Sequence, residues 1–217
     1  MFELVSHQIF LIPVAICGLI AAGIGMERFF YLFVRASTSA TSFFTEVQRR
    51  IVAGDLGAAM QYARSEPHAA VPRALKEVLL DPNREYQKSV ETLDIVLLEL
   101  QTALHTRVAY MATLANIVTL IGLLGTIVGL IQSFSAVSSA NPAEKQELLA
   151  RGISTAMYAT AGGISIAIPC LIVHSLLEQK AQRLVDDAEA FGLRLAMLLD
   201  ARRRGAKSET SVSADAT

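Results

Sequence analysis

The chain has 217 residues, of which 53% are hydrophobic, and its mean hydropathy of +0.43 is too high for an ordinary water-soluble domain. Its formal net charge of −1 gives no reason to expect nucleic acid as a partner. The composition predicts a membrane protein, because roughly 20 mostly apolar residues in a helix cross a hydrocarbon core of about 30 Å.

The first apolar segment covers residues 9–34, within a first transmembrane region of residues 1–35. No Lys or Arg precedes it, its apolar run exceeds that of a signal-peptide core, and no A-x-A-type cleavage site ends it. We therefore expect a retained membrane helix that contacts the lipid bilayer directly. Glu27 and Arg28 follow at its inner end, where long charged side chains can reach the interface.

Residues 36–107 form a polar loop whose pattern is helical, with predicted breaks at Pro67, Pro72 and Pro82. We expect this loop to be a set of short helices outside the membrane.

The second apolar segment covers residues 108–137. Neither Gly nor Pro occurs between Arg84 and Gly122, and apolar residues recur at helical spacing from residue 90. The pattern predicts one unbroken helix from Arg84 through this second span.

A short connection, residues 138–151, leads to the third apolar segment at residues 152–177. Asn141 is a suitable N-cap, Pro142 suits the first helical position, and Glu144 completes a capping-box pattern. These residues predict that the third helix begins at Pro142.

The third apolar segment contains Pro169, which is expected to interrupt the backbone hydrogen bonds and to kink the helix. An amphipathic pattern continues over residues 178–204, and residues 205–217 have the composition of a disordered tail.

The distribution of positive charge predicts the orientation of the chain. Nine Lys and Arg residues lie in 35–107 and seven follow residue 177, whereas the connection between the second and third spans has only Lys145 and Arg151. We therefore expect a periplasmic N-terminus, and a cytoplasmic loop and C-terminus.

Small and weakly polar residues share one face on each of the later spans. On the second span this face comprises Ala115, Thr119, Gly122, Thr126 and Ser133. On the third it comprises Gly152, Ala156, Ala159, Gly163, Ala167, Cys170 and His174, with Thr160 and Thr155 on either side. The spacing leaves two interpretations open, pore lining and helix packing; packing is favoured, because membrane threonines usually bond their own i−4 carbonyl.

Neither of the two later spans contains Asp, Glu, Lys or Arg, the residues that usually carry protons within membranes. Alone, the chain should conduct protons poorly. His174 lies at the cytoplasmic end of the third span and is interpreted as a boundary residue. Cys17 and Cys170 lack metal-ligand spacing and are expected to be free buried thiols. With no catalytic motif in the sequence, we expect no enzyme activity, no catalytic residue, no metal and no cofactor.

Two stretches resemble the paired signature of the MotA/TolQ/ExbB proton channel family: LANIVTLIGLLGTIVGLIQSF (114–134) and GISTAMYATAGGISIAIP (152–169). The similarity extends to Glu27 and Arg28 and to the loop text GDLGAAMQYARSEPHAAVPRAL (54–75). The loop and the three-span layout are most similar to the ExbB/TolQ branch.

The resemblance implies an all-α membrane protein of the bacterial inner membrane, forming a pentamer around two copies of a single-span partner of the ExbD, TolR or MotB type. An intramembrane Asp of that partner would carry the proton, and its protonation would drive TonB-type import, Tol-type envelope function or surface (gliding) motility. The alternative is a non-conducting membrane scaffold that recruits envelope or cytoplasmic partners.

Carried over by position, Thr126 and Thr160 match the family's two pore threonines. Thr155 stands where the best-known members have a Glu, and Thr119 where a Pro is common; both are further pore-lining candidates. The candidates for helix packing are Gly122, Gly125, Gly129 and Gly163. The lack of acidic ligands in the spans favours H⁺ over Na⁺ as the transported ion.

Overall fold

The computed structural model describes residues 2–37 and 39–215, and every regular element within these ranges is helical. The all-α fold class is thus confirmed, with no strand among the described residues. The elements are α1 (Phe2–Phe30), a π-helical turn (Tyr31–Arg35), α2 (Ala40–Val52), α3 (Leu56–Ala63), α4 (Ala70–Leu79), α5 (Tyr86–Ser139) and α6 (Lys145–Asp215).

Three helical stretches are long and apolar enough to cross a membrane, and they lie within Ile12–Val52, Tyr86–Ser138 and Lys145–Gly205. The three predicted membrane helices are therefore confirmed by length and composition. The helix predicted from Arg84 onward is unbroken over Tyr86–Ser139, as expected for a segment without Gly or Pro in its first 36 residues.

The described contacts divide the chain into two compact units, and α5 and α6 contribute residues to both. The first unit comprises Met1–Arg28 and Thr106–Leu177. Its α1 buries Val14, Ala21, Gly25 and Arg28, which share one helical face. Much of the remaining surface of its helices is apolar and exposed, including Leu120, Leu124, Ile131, Phe134 and Ile172. Such faces are compatible with lipid as solvent.

The second unit comprises Phe29–His105 and Glu178–Thr217. In α2 the buried residues Phe43, Phe44, Val47 and Ile51 lie on one face, and the Phe44 ring centroid is 4.9 Å from that of Phe191 on α6. Burial of these large side chains supplies the main stabilising term for the short helices of this unit.

The turn between α2 and α3 contains the residues that end α2 and begin α3. Gly54 has a φ of +89°, a left-handed conformation that glycine adopts without steric cost. Asp55 is the N-cap of α3, and its carboxylate accepts a hydrogen bond from the Ala58 N–H at 2.8 Å.

The π-helical turn follows α1 directly. The Ala36 N–H donates to the Tyr31 carbonyl at 2.8 Å, five residues back, which is the π-helical pattern. The turn buries Leu32 and is followed by α2 after a short linker.

The predicted break at Pro72 is wrong, because Pro72 is the third residue of α4. Proline is tolerated there, since the first four N–H groups of a helix have no intrahelical acceptor. Pro67 and Pro82 do lie between helices, as predicted.

The predicted start of the third membrane helix at Pro142 is also wrong. Residues 142–144 form a turn, in which the Glu144 N–H donates to the Asn141 carbonyl at 3.0 Å, and α6 begins at Lys145. An i→i+3 bond is tighter than the α-helical one, so the first turn is not part of the helix.

Beyond its start, α6 is continuous through Pro169 to Asp215. It therefore covers residues 205–215, most of the segment for which composition predicts disorder, and the last two residues lie outside the described range. Extending an existing helix is much easier than nucleating a new one, and residues 206–215 contain no Gly or Pro.

Candidate functional site

The site is the contact between α5 and α6 within the first unit, where two glycines allow the helix backbones to touch. A Cβ built on Gly163 would lie 2.9 Å from the Val118 carbonyl oxygen and 3.2 Å from the Gly122 Cα. A Cβ on Gly122 would lie 3.1 Å from the Ala159 carbonyl oxygen. Separations this short require the absence of a side chain at both positions.

A second close approach lies nearer the α5–α6 connection. A Cβ built on Gly129 would lie 2.7 Å from the Ala156 Cβ, and one on Gly152 would overlap Ser133, whose Oγ would be only 1.9 Å away. Ser133 itself donates to the Gly129 carbonyl at 2.6 Å. These small residues therefore lie in the contact between the two helices.

Three side chains of α6 donate hydrogen bonds to backbone carbonyls of α5. Thr160 Oγ1 bonds the Gly122 oxygen at 2.9 Å, Cys170 Sγ bonds the Met111 oxygen at 3.3 Å, and His174 Nδ1 lies 3.1 Å from the Val108 oxygen. A carbonyl only accepts, so His174 carries its hydrogen on Nδ1 in this contact. Donors with higher residue numbers on α6 bond acceptors with lower residue numbers on α5, as in an antiparallel helix pair.

Thr160 is half-buried, and its hydroxyl hydrogen is committed to a neighbouring helix. The expected bond to its own i−4 carbonyl is therefore replaced by a bond to α5. A hydroxyl has one hydrogen and two lone pairs, so the acceptor capacity of Thr160 remains.

The other predicted pore threonines use their hydroxyls differently. Thr126 is half-buried and donates to the Leu123 carbonyl at 2.6 Å, and Thr119 is exposed and donates to the Ala115 carbonyl at 3.0 Å. Thr155 is exposed on α6. Gly125, the remaining predicted packing residue, is buried.

Asp, Glu, Lys and Arg lie outside the apolar spans 108–137 and 152–177 rather than within them. The Arg107 guanidinium on α5 donates to the Glu27 carboxylate on α1, and both side chains are about half exposed. Arg28, next to Glu27, is buried. The pair joins two membrane helices at the boundary to which sequence reasoning assigned Glu27 and Arg28.

Both cysteines are free, with Cys170 buried and Cys17 half-buried. Among the residues that the structure describes, no group of three or more His, Cys, Asp or Glu side chains is arranged to hold a metal. The chemistry offered by the site is therefore that of hydroxyls and backbone carbonyls between tightly packed apolar helices.

Sequence reasoning placed His174 and Cys170 on the small-residue face but gave neither a bonding role. The signal available was their shared face with Gly163. Which carbonyl each side chain bonds depends on the register between α5 and α6. The sequence of one helix does not determine that register.

These features define a multi-span, all-α membrane protein whose last two spans pack through glycine contacts and inter-helix hydrogen bonds. Residues 63–190, more than half of the chain, match the MotA/TolQ/ExbB proton channel family. The chain belongs to this family, and it resembles the ExbB/TolQ branch.

Three curated relatives illustrate the similarity. The chain is 32% identical over 93 residues to the ExbB-like 2 protein of Helicobacter pylori, which is 43% of this chain and 61% of that protein. It is 32% identical over 121 residues to the Tol-Pal system protein TolQ of Haemophilus influenzae, covering 56% of this chain and 46% of that protein. It is 26% identical over 176 residues to the biopolymer transport protein exbB1 of Vibrio cholerae, covering 79% and 75%. The aligned region is thus less than two thirds of the length of the first two relatives.

Proposed function

We propose that this chain is the proton-channel subunit of an inner-membrane complex that converts proton-motive force into mechanical work. The chain itself has no Asp, Glu, Lys or Arg in residues 108–137 or 152–177, so the proton carrier is the Asp of a single-span partner of the ExbD, TolR or MotB type. The proposal includes no enzyme activity and no cofactor.

The observation that carries the proposal is the state of two hydroxyl groups. Thr160 and Thr126 both donate their hydrogens to backbone carbonyls, of Gly122 and Leu123 respectively. Each hydroxyl then has only lone pairs to offer a third group. A protonated carboxylic acid can donate to such an oxygen, whereas a carboxylate cannot.

The hydroxyls should therefore stabilise the neutral form of the partner's Asp. An acid desolvated among apolar helices already has a raised pKa, and a bond to its protonated form raises the pKa further. Entry of a proton would allow the acid to move against α5 and α6, and loss of the proton would drive it away. One charge moved across 100 mV supplies about 2.3 kcal/mol, enough to shift a helix-packing equilibrium.

In the proposed complex five copies of this chain surround two partner helices, with a periplasmic N-terminus and a cytoplasmic C-terminus. The names of the relatives, biopolymer transport protein and Tol-Pal system protein, support TonB-type import or Tol-type envelope function as the process driven; surface motility is a third destination. The partner's distal domain would determine which process it is.

The test compares Thr126→Ala and Thr160→Ala with Thr113→Ala, a matched control on α5. Thr113 is exposed and also bonds a carbonyl of its own helix, that of Ala109 at 3.4 Å. The complex with the partner is purified and reconstituted, and proton flux is measured with a pH-sensitive dye. We expect both site variants to lower flux while complex assembly and Thr113→Ala flux stay normal. Wild-type flux in both site variants would refute the pore assignment.

The second candidate is a membrane scaffold that recruits partners without ion flux, which the absence of charged residues in the two spans favours. The candidates differ in their dependence on the partner's acid. An Asp→Asn change in the partner should abolish flux and output for a proton channel, and leave assembly-dependent output intact for a scaffold.

A further inference from the structure

The second unit contains an open cavity of about 610 Å³ directly after the first membrane helix. It lies between the π-helical turn, the start of α2 and the segment that joins α3 to α4. Its polar lining includes Arg35, Ser37, Ser39, Ser42, Ser65 and His68.

Charged side chains lie in this cavity and directly beside it. Arg35 Nη2 donates to His68 Nε2 at 3.1 Å, a contact that uses the ring nitrogen as acceptor and holds the guanidinium at the cavity. Lys180 Nζ donates to Ser37 Oγ at 3.1 Å, so a second cation lies one hydrogen bond from the lining. One carboxylate, Glu66, also lines the cavity. Among the lining residues, the positive charge of Arg35 is matched by the negative charge of Glu66, and Lys180 adds a second positive charge just outside the lining.

The remaining lining donors suit an anion. Ser39 and Ser42 are 3.0 Å apart through their Oγ atoms at the start of α2. The first N–H groups of a helix point outward without intrahelical acceptors and carry partial positive charge. Ser65 Oγ already donates to the Tyr62 carbonyl at 2.8 Å and so offers only lone pairs. The donors for a phosphate oxygen are therefore Arg35, Ser37 and one member of the Ser39–Ser42 pair.

The surroundings of the cavity identify the source of the phosphate. Phe29, Phe30, Phe33 and Val34 precede Arg35 and are 44 to 65% exposed, and Lys180 lies 5.4 Å from the Phe33 ring centroid. Exposed aromatic rings next to Lys and Arg at the end of an apolar span are typical of the membrane–water interface. A ligand here would meet apolar side chains on one side and cations on the other.

We infer that this cavity binds the phosphate of an anionic phospholipid, whose acyl chains lie along the exposed rings of residues 29–34. The site is independent of Thr126 and Thr160, so it does not depend on the proposed proton pathway. It would attach the start of α2 to the headgroup layer and make the loop helices sensitive to lipid composition.

The test uses the purified full-length chain in detergent, titrated with phosphatidylglycerol or phosphatidylcholine and followed by native mass spectrometry. We expect preferential binding of phosphatidylglycerol, and a loss of about tenfold in its affinity for Arg35→Gln, as for removal of one charged hydrogen bond. Arg64→Gln is the matched control, because Arg64 is an exposed arginine on the same loop that does not line the cavity. Equal affinities for Arg35→Gln and wild type, or equal losses in both variants, would overturn the assignment.

A second variant guards against loss of binding through misfolding. Glu66→Gln removes the cavity's carboxylate and should raise phosphatidylglycerol affinity several-fold, a gain that misfolding cannot produce. An unchanged or reduced affinity would contradict the site. Millimolar inorganic phosphate is added in a separate arm: lipid binding that persists supports a headgroup site, and displacement of the lipid would assign the cavity to free phosphate instead.

Discussion

Thr160 on α6 donates its hydroxyl hydrogen to the backbone carbonyl of Gly122 on α5, across a distance of 2.9 Å. Because the acceptor is a carbonyl of another helix, this one bond contributes both to packing and to the chemistry offered at the site. Replacing Thr160 by Ser should preserve the bond, and replacing it by Val, of nearly the same shape, should remove it.

For Thr160→Val we expect a loss of about 0.5–1.5 kcal/mol in stability, the usual net value of a hydrogen bond, together with reduced proton flux in the complex. Thermal unfolding in detergent measures the first, and reconstituted flux the second. Thr160→Ser should resemble wild type in both. Normal flux in Thr160→Val would show that the hydroxyl is structural only.

Gly163→Ala should destabilise the α5–α6 contact. The added methyl would lie 2.9 Å from the Val118 carbonyl oxygen, and backbone cannot move aside as a flexible side chain can. We expect a loss of about 1–3 kcal/mol, as for other overpacked sites, measured by denaturation in mixed micelles.

Gly23→Ala is the control for that change, because nothing lies within 4 Å of a Cβ built on Gly23 of α1. In a helix alanine is more stable than glycine by roughly 0.5–1 kcal/mol. The stability of Gly23→Ala should therefore be unchanged or slightly raised. Equal losses of stability in Gly163→Ala and Gly23→Ala would show that the close contact at Gly163 is not the cause of the destabilisation.

The Glu27–Arg107 ion pair should contribute little to stability, since both side chains are about half exposed. A double-mutant cycle with Glu27→Gln and Arg107→Gln is expected to give a coupling free energy of about 1 kcal/mol or less. The exchanged pair, Glu27→Arg with Arg107→Glu, should fold and insert. A coupling several times larger would indicate that the pair is shielded from water in the membrane.

Glu46 on α2 gives a pH-dependent prediction outside the membrane spans. Hydrogen bonds from Arg49 and then from Arg50 hold the pKa of its carboxyl below the ordinary value of 4.5. A carboxyl with a lowered pKa contributes stability that is present above the ordinary value and is lost as the pH falls through the lowered one.

Carbon NMR of glutamate-labelled protein should therefore show a titration midpoint below 4.5 that disappears in Glu46→Gln. Arg49→Gln should move this midpoint upward, because it removes the larger of the two causes. A midpoint that stays in place in Arg49→Gln would contradict the assigned cause.

The sequence predicted those features that depend on one helix alone. The absence of Gly and Pro after Arg84 predicted the unbroken α5, and helical spacing predicted the small faces that carry Gly122 and Gly163. The spacing could not predict which α5 carbonyl each α6 donor meets, because that depends on the register between the helices. The prediction at Pro72 was wrong because a proline breaks the interior of a helix but is tolerated in the first turn. The spacing did not show where α4 begins.

The π-helical turn at Tyr31–Arg35 makes the number of residues in this segment matter as much as their identity. Deleting one residue there would allow ordinary i→i+4 bonding and would turn each following side chain by about 100°. Arg35 and Ser37 would then leave the cavity although neither had been substituted. Insertions and deletions between Phe30 and Ala40 should accordingly be tolerated far less well than conservative replacements at the same positions.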